Sequence, residues 1–449
     1  MSLLKDMLNR DAESRSMAEQ YVRSETVRPT ESEQTIVNTL IQSVSEHFKA
    51  DISQEGLSHN IQSKIETYIR EKVEQLEIAD YTFKLRVEKV VLSSIIGLGP
   101  IDAYLHDPEV TEIIVQRYNH ICIERNGKVE DTQAEFVSEE HLMTVINRII
   151  QPVGRQINLH TPLVDARLKD GSRINATIPP ISPDGATLTI RRFPEKAYTG
   201  SDYLTFGSID DKMLHFLMRV VEGKGNIIVS GGTGSGKTTL LNMLSMGIPE
   251  HELIVTIEDS CELRLGQPNI RRLEARISTG ENQGTSITVR DLVKNALRMR
   301  PDRIIVGEIR DGTVVDMISA MSTGHEGSLS TVHANSPLNL INARMPILYS
   351  MYGDSAFTPS AQAVQLSEAL DLIVHISRMV DGSRKITHIT HVAGLEADQK
   401  RLKLRDVFRY ENGSFRTTGY VPEKLIQKLS ENGVSIDRSV FEKEGGTAA

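Results

Sequence analysis

One octapeptide constrains this chain more than any other feature. Gly231-Gly232-Thr233-Gly234-Ser235-Gly236-Lys237-Thr238 fits G-x-x-x-x-G-K-[ST] at every fixed position. The apolar run Ile227-Ile228-Val229-Ser230 precedes it and Thr239-Leu240-Leu241-Asn242-Met243-Leu244 follows it, so the spacing predicts strand, loop and helix, the context the motif needs. Glycines let backbone N–H groups converge on phosphate oxygens with no Cβ in the way. The following helix aims its N-terminal amides at the same point. Lys237 brings a positive charge to the β/γ-phosphates, and the Thr238 hydroxyl suits Mg²⁺. Gly231 to Thr238, with Thr239 opening the helix, are the candidate phosphate-binding residues. A dinucleotide fold is disfavoured, because Gly-Lys-Thr stands where such a fold closes its helix.

Ligands of a parallel sheet sit at the carboxyl ends of its strands. Two acids are expected there. Leu253-Ile254-Val255-Thr256-Ile257 runs into Glu258-Asp259, and Arg303-Ile304-Ile305-Val306-Gly307 runs into Glu308. The second has the form of the acidic strand that partners a P-loop, except that Gly307 stands where many such proteins place the Asp that holds Mg²⁺ through water. Glu308 is therefore assigned to polarise the attacking water or to help place the metal. Glu258 is assigned to share that work and, with Thr238, to place the metal. A third strand ends at His333, within Gly324-His325-Glu326-Gly327-Ser328-Leu329-Ser330-Thr331-Val332-His333. A histidine there is suited to hydrogen-bond the γ-phosphate or its water and so distinguish ATP from ADP. His388 and His391, three apart with no carboxylate partner, do not read as a metal site.

The rest of the chain is read around this loop. Its 449 residues suggest two or three domains. Residues 1–30 read as a polar, partly disordered lead-in. Residues 31–100 read as a helical region, with apolar faces Ile36/Val37/Leu40/Ile41/Val44/Phe48, Ile61/Ile65/Ile69/Val73/Leu76 and Leu85/Val87/Val90/Val91/Ile95/Ile96, ended by Gly97-Leu98-Gly99-Pro100. Residues 101–193 read as a smaller α/β domain with an Asn126-Gly127 hairpin turn. Residues 194–207 read as a linker, and 208–449 as a larger α/β domain with a mostly parallel sheet, antiparallel strands after about 384 and a fraying end at 445–449. The apolar fraction of 39% and charged fraction of 25% exclude a mostly disordered or collagen-like chain. Two cysteines, Cys122 and Cys261, cannot make a disulfide framework or a four-Cys zinc site. A net charge of −9 argues against generic nucleic-acid binding, so no nucleic-acid partner is expected. The N-terminus has no apolar signal core and no run approaches ~18 apolar residues, so a cytoplasmic location is expected.

Taken in order, the P-loop, Thr256-Ile257-Glu258-Asp259 with Glu262-Leu263, Val306-Gly307-Glu308-Ile309-Arg310-Asp311, and Gly324–His333 resemble the Walker A, Asp box, Walker B and His box of the type II/type IV secretion ATPase superfamily. Upstream, Pro162–Leu168, Asp170–Asn175 and Leu188–Phe193 resemble its tight-adherence (Flp-type) pilus branch, the CpaF/TadA type. The resemblance implies a RecA-like P-loop domain preceded by a smaller α/β domain, ATP and Mg²⁺ as ligands, and a ring-shaped homo-hexamer. It also implies work on an inner-membrane platform protein from the cytoplasmic face. In that family, N-terminal-domain arginines reach the phosphates. The matching positions are Arg167, Arg173, Arg191 and Arg192, and a developing γ-phosphate charge suits guanidinium forks. The absence of the four-Cys zinc insertion usual in type II secretion and pilus-extension members favours the tight-adherence branch.

Overall fold

The fold is that of a computed structural model, which describes residues 31–55, 59–76, 80–125, 127–168, 170–192, 197–276, 286–353, 357–398 and 400–443. The lead-in, Asn126, the first part of the linker and the terminal glycines lie outside the described residues. The chain divides into two compact units, one ending at Pro194 and one beginning at Glu195.

The first unit opens with three helices, α1 (Glu31–Glu55), α2 (His59–Glu74) and α3 (Tyr81–Ile95). Their apolar faces meet in one cluster of Val37, Val44, Ile65, Ile69, Val87 and Val91. Leu76 was expected on the second helix but lies past its end at Glu74. Asp80 caps α3 by accepting from the Thr82 and Phe83 amides. Six strands follow: β1 (Val110–Arg117), β2 (His120–Arg125), β3 (Lys128–Asp131), β4 (Leu163–Arg167), β5 (Arg173–Thr177) and β6 (Thr187–Arg191). They form an antiparallel sheet in the order β3-β2-β1-β6-β5-β4. Between β3 and β4, helix α4 (Glu139–Ile150) buries Leu142, Val145, Ile146, Ile149 and Ile150 in the same cluster as Ile113, Ile121, Ile174 and Leu188 of the sheet.

The second unit is built on a nine-stranded sheet of β7 (Ile227–Gly231), β8 (Ile254–Glu258), β9 (Ile270–Glu274), β10 (Arg303–Val306), β11 (Leu329–His333), β12 (Leu372–Arg378), β13 (Arg384–Leu395), β14 (Leu402–Glu411) and β15 (Ser414–Thr417). The order is β15-β14-β13-β12-β7-β11-β10-β8-β9. The six strands from β12 to β9 are parallel, and β13 to β15 add antiparallel at the other edge. The edge strand β9 was not anticipated; its Ile-Arg-Arg-Leu-Glu sequence lacks the apolar run of its neighbours.

Alternation along the buried strands divides the core in two, because successive side chains point to opposite faces. Ile227 and Val229 enter one layer with helices α5 (Asp211–Glu222) and α6 (Lys237–Ser245). Ile228, Val255 and Ile304 enter the other with α7 (Val289–Ala296), α8 (Thr313–Ser322) and α9 (Pro359–Ala369). Both faces are covered, which is why these strands read as continuous apolar runs. An ion pair is buried at the amino ends of the strands. Arg303 is fully buried, paired with Glu252, and donates to the Val221 carbonyl at 2.8 Å and the Gly327 carbonyl at 3.2 Å. Gly327 has φ +79°, and a Cβ there would collide with the Arg303 guanidinium. Among the described residues no helix is long and apolar enough to cross a membrane.

Candidate functional site

The carboxyl ends of β7, β8, β10 and β11 converge on the loop between β7 and α6. Gly234 (φ +69°) and Gly236 (φ +94°) turn the loop through backbone angles that side chains disfavour. A Cβ at Gly231 would strike the Ile376 carbonyl, whereas Gly232 faces open space. Ser235 Oγ donates to the Gly232 carbonyl at 2.9 Å and fastens the loop on itself. Lys237, at the first turn of α6, is buried, and its Nζ donates to the same carbonyl at 2.9 Å. Its ammonium also lies 3.1 Å from His333 Nδ1 and 3.3 Å from Nε2, on the adjacent strand β11.

His333 Nε2 stands 2.9 Å from Glu308 Oε1. The distance is short enough for a hydrogen bond but the direction is not, and Oε1 is buried without a hydrogen-bond partner. The other oxygen, Oε2, takes 2.7 Å from Arg310, which also lies 3.6 Å from Asp259. Burial first, then the Lys237 ammonium, holds the His333 imidazole below its usual pKa range, so at neutral pH it sits uncharged between ammonium and carboxylate. Glu308 lies just past the end of β10, two residues beyond Val306.

Glu258 ends β8 and is buried. Its Oε1 accepts from the Glu262 and Leu263 amides at 2.8 and 3.0 Å. This placement explains the glycine of the acidic strand. A Cβ at Gly307 would lie 2.9 Å from Glu258 Cγ and 3.2 Å from Oε1. The neighbouring strand supplies a carboxylate to the space that a side chain at 307 would fill, so Gly307 and Glu258 form one arrangement.

A cavity of about 490 Å³ is lined by Gly231, Gly232, Thr233, Glu308, His333 and Arg344, among others. Arg344 was not anticipated. It closes a π-helical turn, Leu340–Arg344, that follows the Ser336-capped turn after β11, and π turns recur at functional sites. Its Nε is buried with no hydrogen-bond partner. Arg310, Asn335 and Asn339 line the same cavity. Arg378 and Arg384 also escaped the sequence reading. They are directly opposed on β12 and β13, and Arg384 Nε donates to the Gly234 carbonyl at 3.3 Å. The signal available was the Asp381-Gly382 turn between two strands, which sets that register.

Of the four arginines singled out in the first unit, three fall in one row. Arg167 opposes Arg173, and Arg173 opposes Arg191 across β4, β5 and β6. Like charges directly opposite destabilise a sheet, and here Glu112 on β1 stands opposite Arg191 at one end of the row. Arg192 differs: its guanidinium donates to the carbonyls of Asp107 and Val110 within its own domain.

The residues fit a polyphosphate and its cation. The glycine cradle is open at Gly232, a buried arginine nitrogen lacks an acceptor, and a buried carboxylate oxygen lacks a donor. His375, His388 and His391 belong elsewhere: His375 Nδ1 lies 2.9 Å from Ser230 Oγ, His388 Nδ1 3.1 Å from Thr387 Oγ1, and His391 Nδ1 3.0 Å from the Tyr420 hydroxyl.

Comparison with known proteins gives the family. The sequence pattern of the family described as "Type II/IV secretion system protein" matches residues 96–413. The chain is 40% identical over 239 residues to protein MJ0781 of Methanocaldococcus jannaschii, covering 52% of this chain and 33% of that one. It is 31% identical over 327 residues to the type IV secretion system protein VirB11 of Bartonella quintana, covering 65% of this chain and 91% of that one. Among solved structures, the VirB11 ATPase of the Brucella suis type IV secretion system is 28% identical, with 70% of this chain and 97% of that chain covered and a TM-score of 0.36. The family pattern covers most of the chain and includes residues of both units, and this assigns the chain to the type II/IV secretion system protein family.

Proposed function

We propose that the protein is a Mg²⁺-dependent ATP hydrolase, a homo-hexameric motor that drives assembly of a tight-adherence pilus, or related secretion, from the cytoplasmic face of the inner membrane through a platform protein. The observation that carries the hydrolase reading is the Lys237–His333–Glu308 line at the carboxyl edge of the sheet, with a buried Glu308 oxygen awaiting a donor. Gly231 to Thr239 bind the phosphates, and Thr238 and Glu258 hold the metal. When bound, the ion neutralises charge on the β- and γ-phosphate oxygens. Glu308 orients the attacking water through Oε1 and takes its proton, while Arg310 fixes the carboxylate through Oε2. His333, uncharged, hydrogen-bonds the γ-phosphate or that water. Arg344 and the Arg167–Arg173–Arg191 row are the candidate cations for the transition-state charge.

The pilus branch rests on the upstream segments Pro162–Leu168 and Asp170–Asn175. A conjugation or type IV secretion role is supported equally well by the VirB11 relative. Two variants test the chemistry. Lys237→Ala abolishes ATP binding, and Glu308→Gln binds ATP without releasing phosphate; normal turnover by Glu308→Gln overturns the assignment. Membrane partners captured by the ATP-loaded Glu308→Gln protein separate the two pathways.

A further inference from the structure

The first unit holds a second cluster of ligand-type side chains that the motor reading leaves unused. His120 begins β2, Cys122 lies two residues on along the same face, and Asp131 ends β3 directly opposite Cys122. Their donor atoms close a small triangle. Cys122 Sγ is 3.1 Å from Asp131 Oδ1 and 3.5 Å from His120 Nε2, and Nε2 is 3.1 Å from Oδ1. These are the three groups among the described residues that come together in this way. A tetrahedral Zn²⁺ with bonds of about 2.0–2.3 Å separates nitrogen, sulfur and oxygen donors by roughly 3.3–3.6 Å. Every edge of the triangle is within about 0.5 Å of that spacing. Cys122 is buried, whereas the His120 and Asp131 side chains are 43% and 79% exposed, so one side of the triangle is dry and the other open to water. Gln116 Nε2 points at Cys122 Sγ from 3.7 Å, an outer contact of the kind that orients a metal-bound thiolate.

We propose that His120, Cys122 and Asp131 form a zinc site that clips the open end of the β2–β3 hairpin, with water as the fourth ligand. Thiolate, imidazole and carboxylate together suit a borderline-soft divalent ion and not Mg²⁺, so this site and the P-loop take different metals. Binding breaks the Cys122 S–H bond, forms the metal–sulfur bond and releases the proton to solvent. The clip acts where the sheet is weakest: β3 is an edge strand, and all four of its residues are exposed.

Cobalt(II) is the probe. The full chain, stripped with a chelator and titrated with Co²⁺ alone, gains a near-ultraviolet sulfur-to-cobalt charge-transfer band that saturates at one ion per chain, and Zn²⁺ displaces it. Cys122→Ser abolishes the band and Cys261→Ser leaves it. Asp131→Asn, a change at an exposed position, weakens binding roughly tenfold or more. No charge-transfer band, or a band that survives Cys122→Ser, overturns the proposal and leaves the three groups as a hydrogen-bonded set. Phosphate release by the Lys237 and Glu308 variants is unaffected by either outcome.

Discussion

At the scale of single residues, the informative positions are those where one side chain dictates its neighbour. Gly307 is the clearest. The pinned carboxylate of Glu258 occupies the volume a Cβ at 307 would need, so the two residues act together. Gly307→Ala should displace Glu258 from the Glu262 and Leu263 amides, cost about 1–3 kcal/mol of stability and lower ATP turnover. In a Glu258→Ala background the same change should cost less than about 0.5 kcal/mol, because the clash is gone. Equal losses in both backgrounds, read by urea unfolding, would reject the coupling. The glycine and both glutamates were legible in the sequence. Their interdependence was not, because it follows from the cross-strand register that sets Val306 beside Ile257. The same holds for Arg344, whose place in the cavity depends on a π-helical turn with no strong sequence signature.

At the scale of elements, β12 and β13 show how a buried sheet handles titratable groups. His375 and His391 are buried, and burial pushes both imidazoles down to about 4. In the unfolded chain each carries a proton below about pH 6.5. Between about pH 4 and 6.5 the unfolded state therefore binds more protons than the fold, and stability declines as pH falls through that window. The loss is on the order of 3 kcal/mol per ring by the lower end. His375→Gln, which keeps a polar partner for Ser230 and cannot titrate, should show a shallower fall in the urea midpoint between pH 7 and 5 than the parent chain. An unchanged slope would mean that His375 already titrates freely in the fold. The sequence reading disfavoured a metal at His388 and His391 on their spacing and the lack of a carboxylate partner. The neutral, hydrogen-bonded state of His375 and His391 required the packing of β12 against β7 and the reach of Tyr420.

At the scale of the whole molecule, each unit encloses its own cores among the described residues. The P-loop, Glu258, Glu308 and His333 all belong to the second unit. Calorimetry should therefore resolve two unfolding transitions, and ATP with Mg²⁺ at a hundredfold over Kd should stabilise one of them by about 2.7 kcal/mol. A single transition that moves as a whole on adding nucleotide would contradict independent units.

The sequence by itself determined the glycine-rich loop between a strand and a helix, the alternation of parallel strands and helices around it, the acids at two strand ends and the family. These are local patterns: a glycine-rich spacing, a period of two or of 3.6, and an apolar run of fixed length carry their own physical meaning. Only the tertiary structure decided which groups meet. It set Lys237 against His333, Glu258 over Gly307, three arginines in one row of a sheet, and His120, Cys122 and Asp131 in one triangle. Contacts of that kind depend on strand order and register, which arise from burying both faces of a sheet at once and leave no periodic trace along the chain.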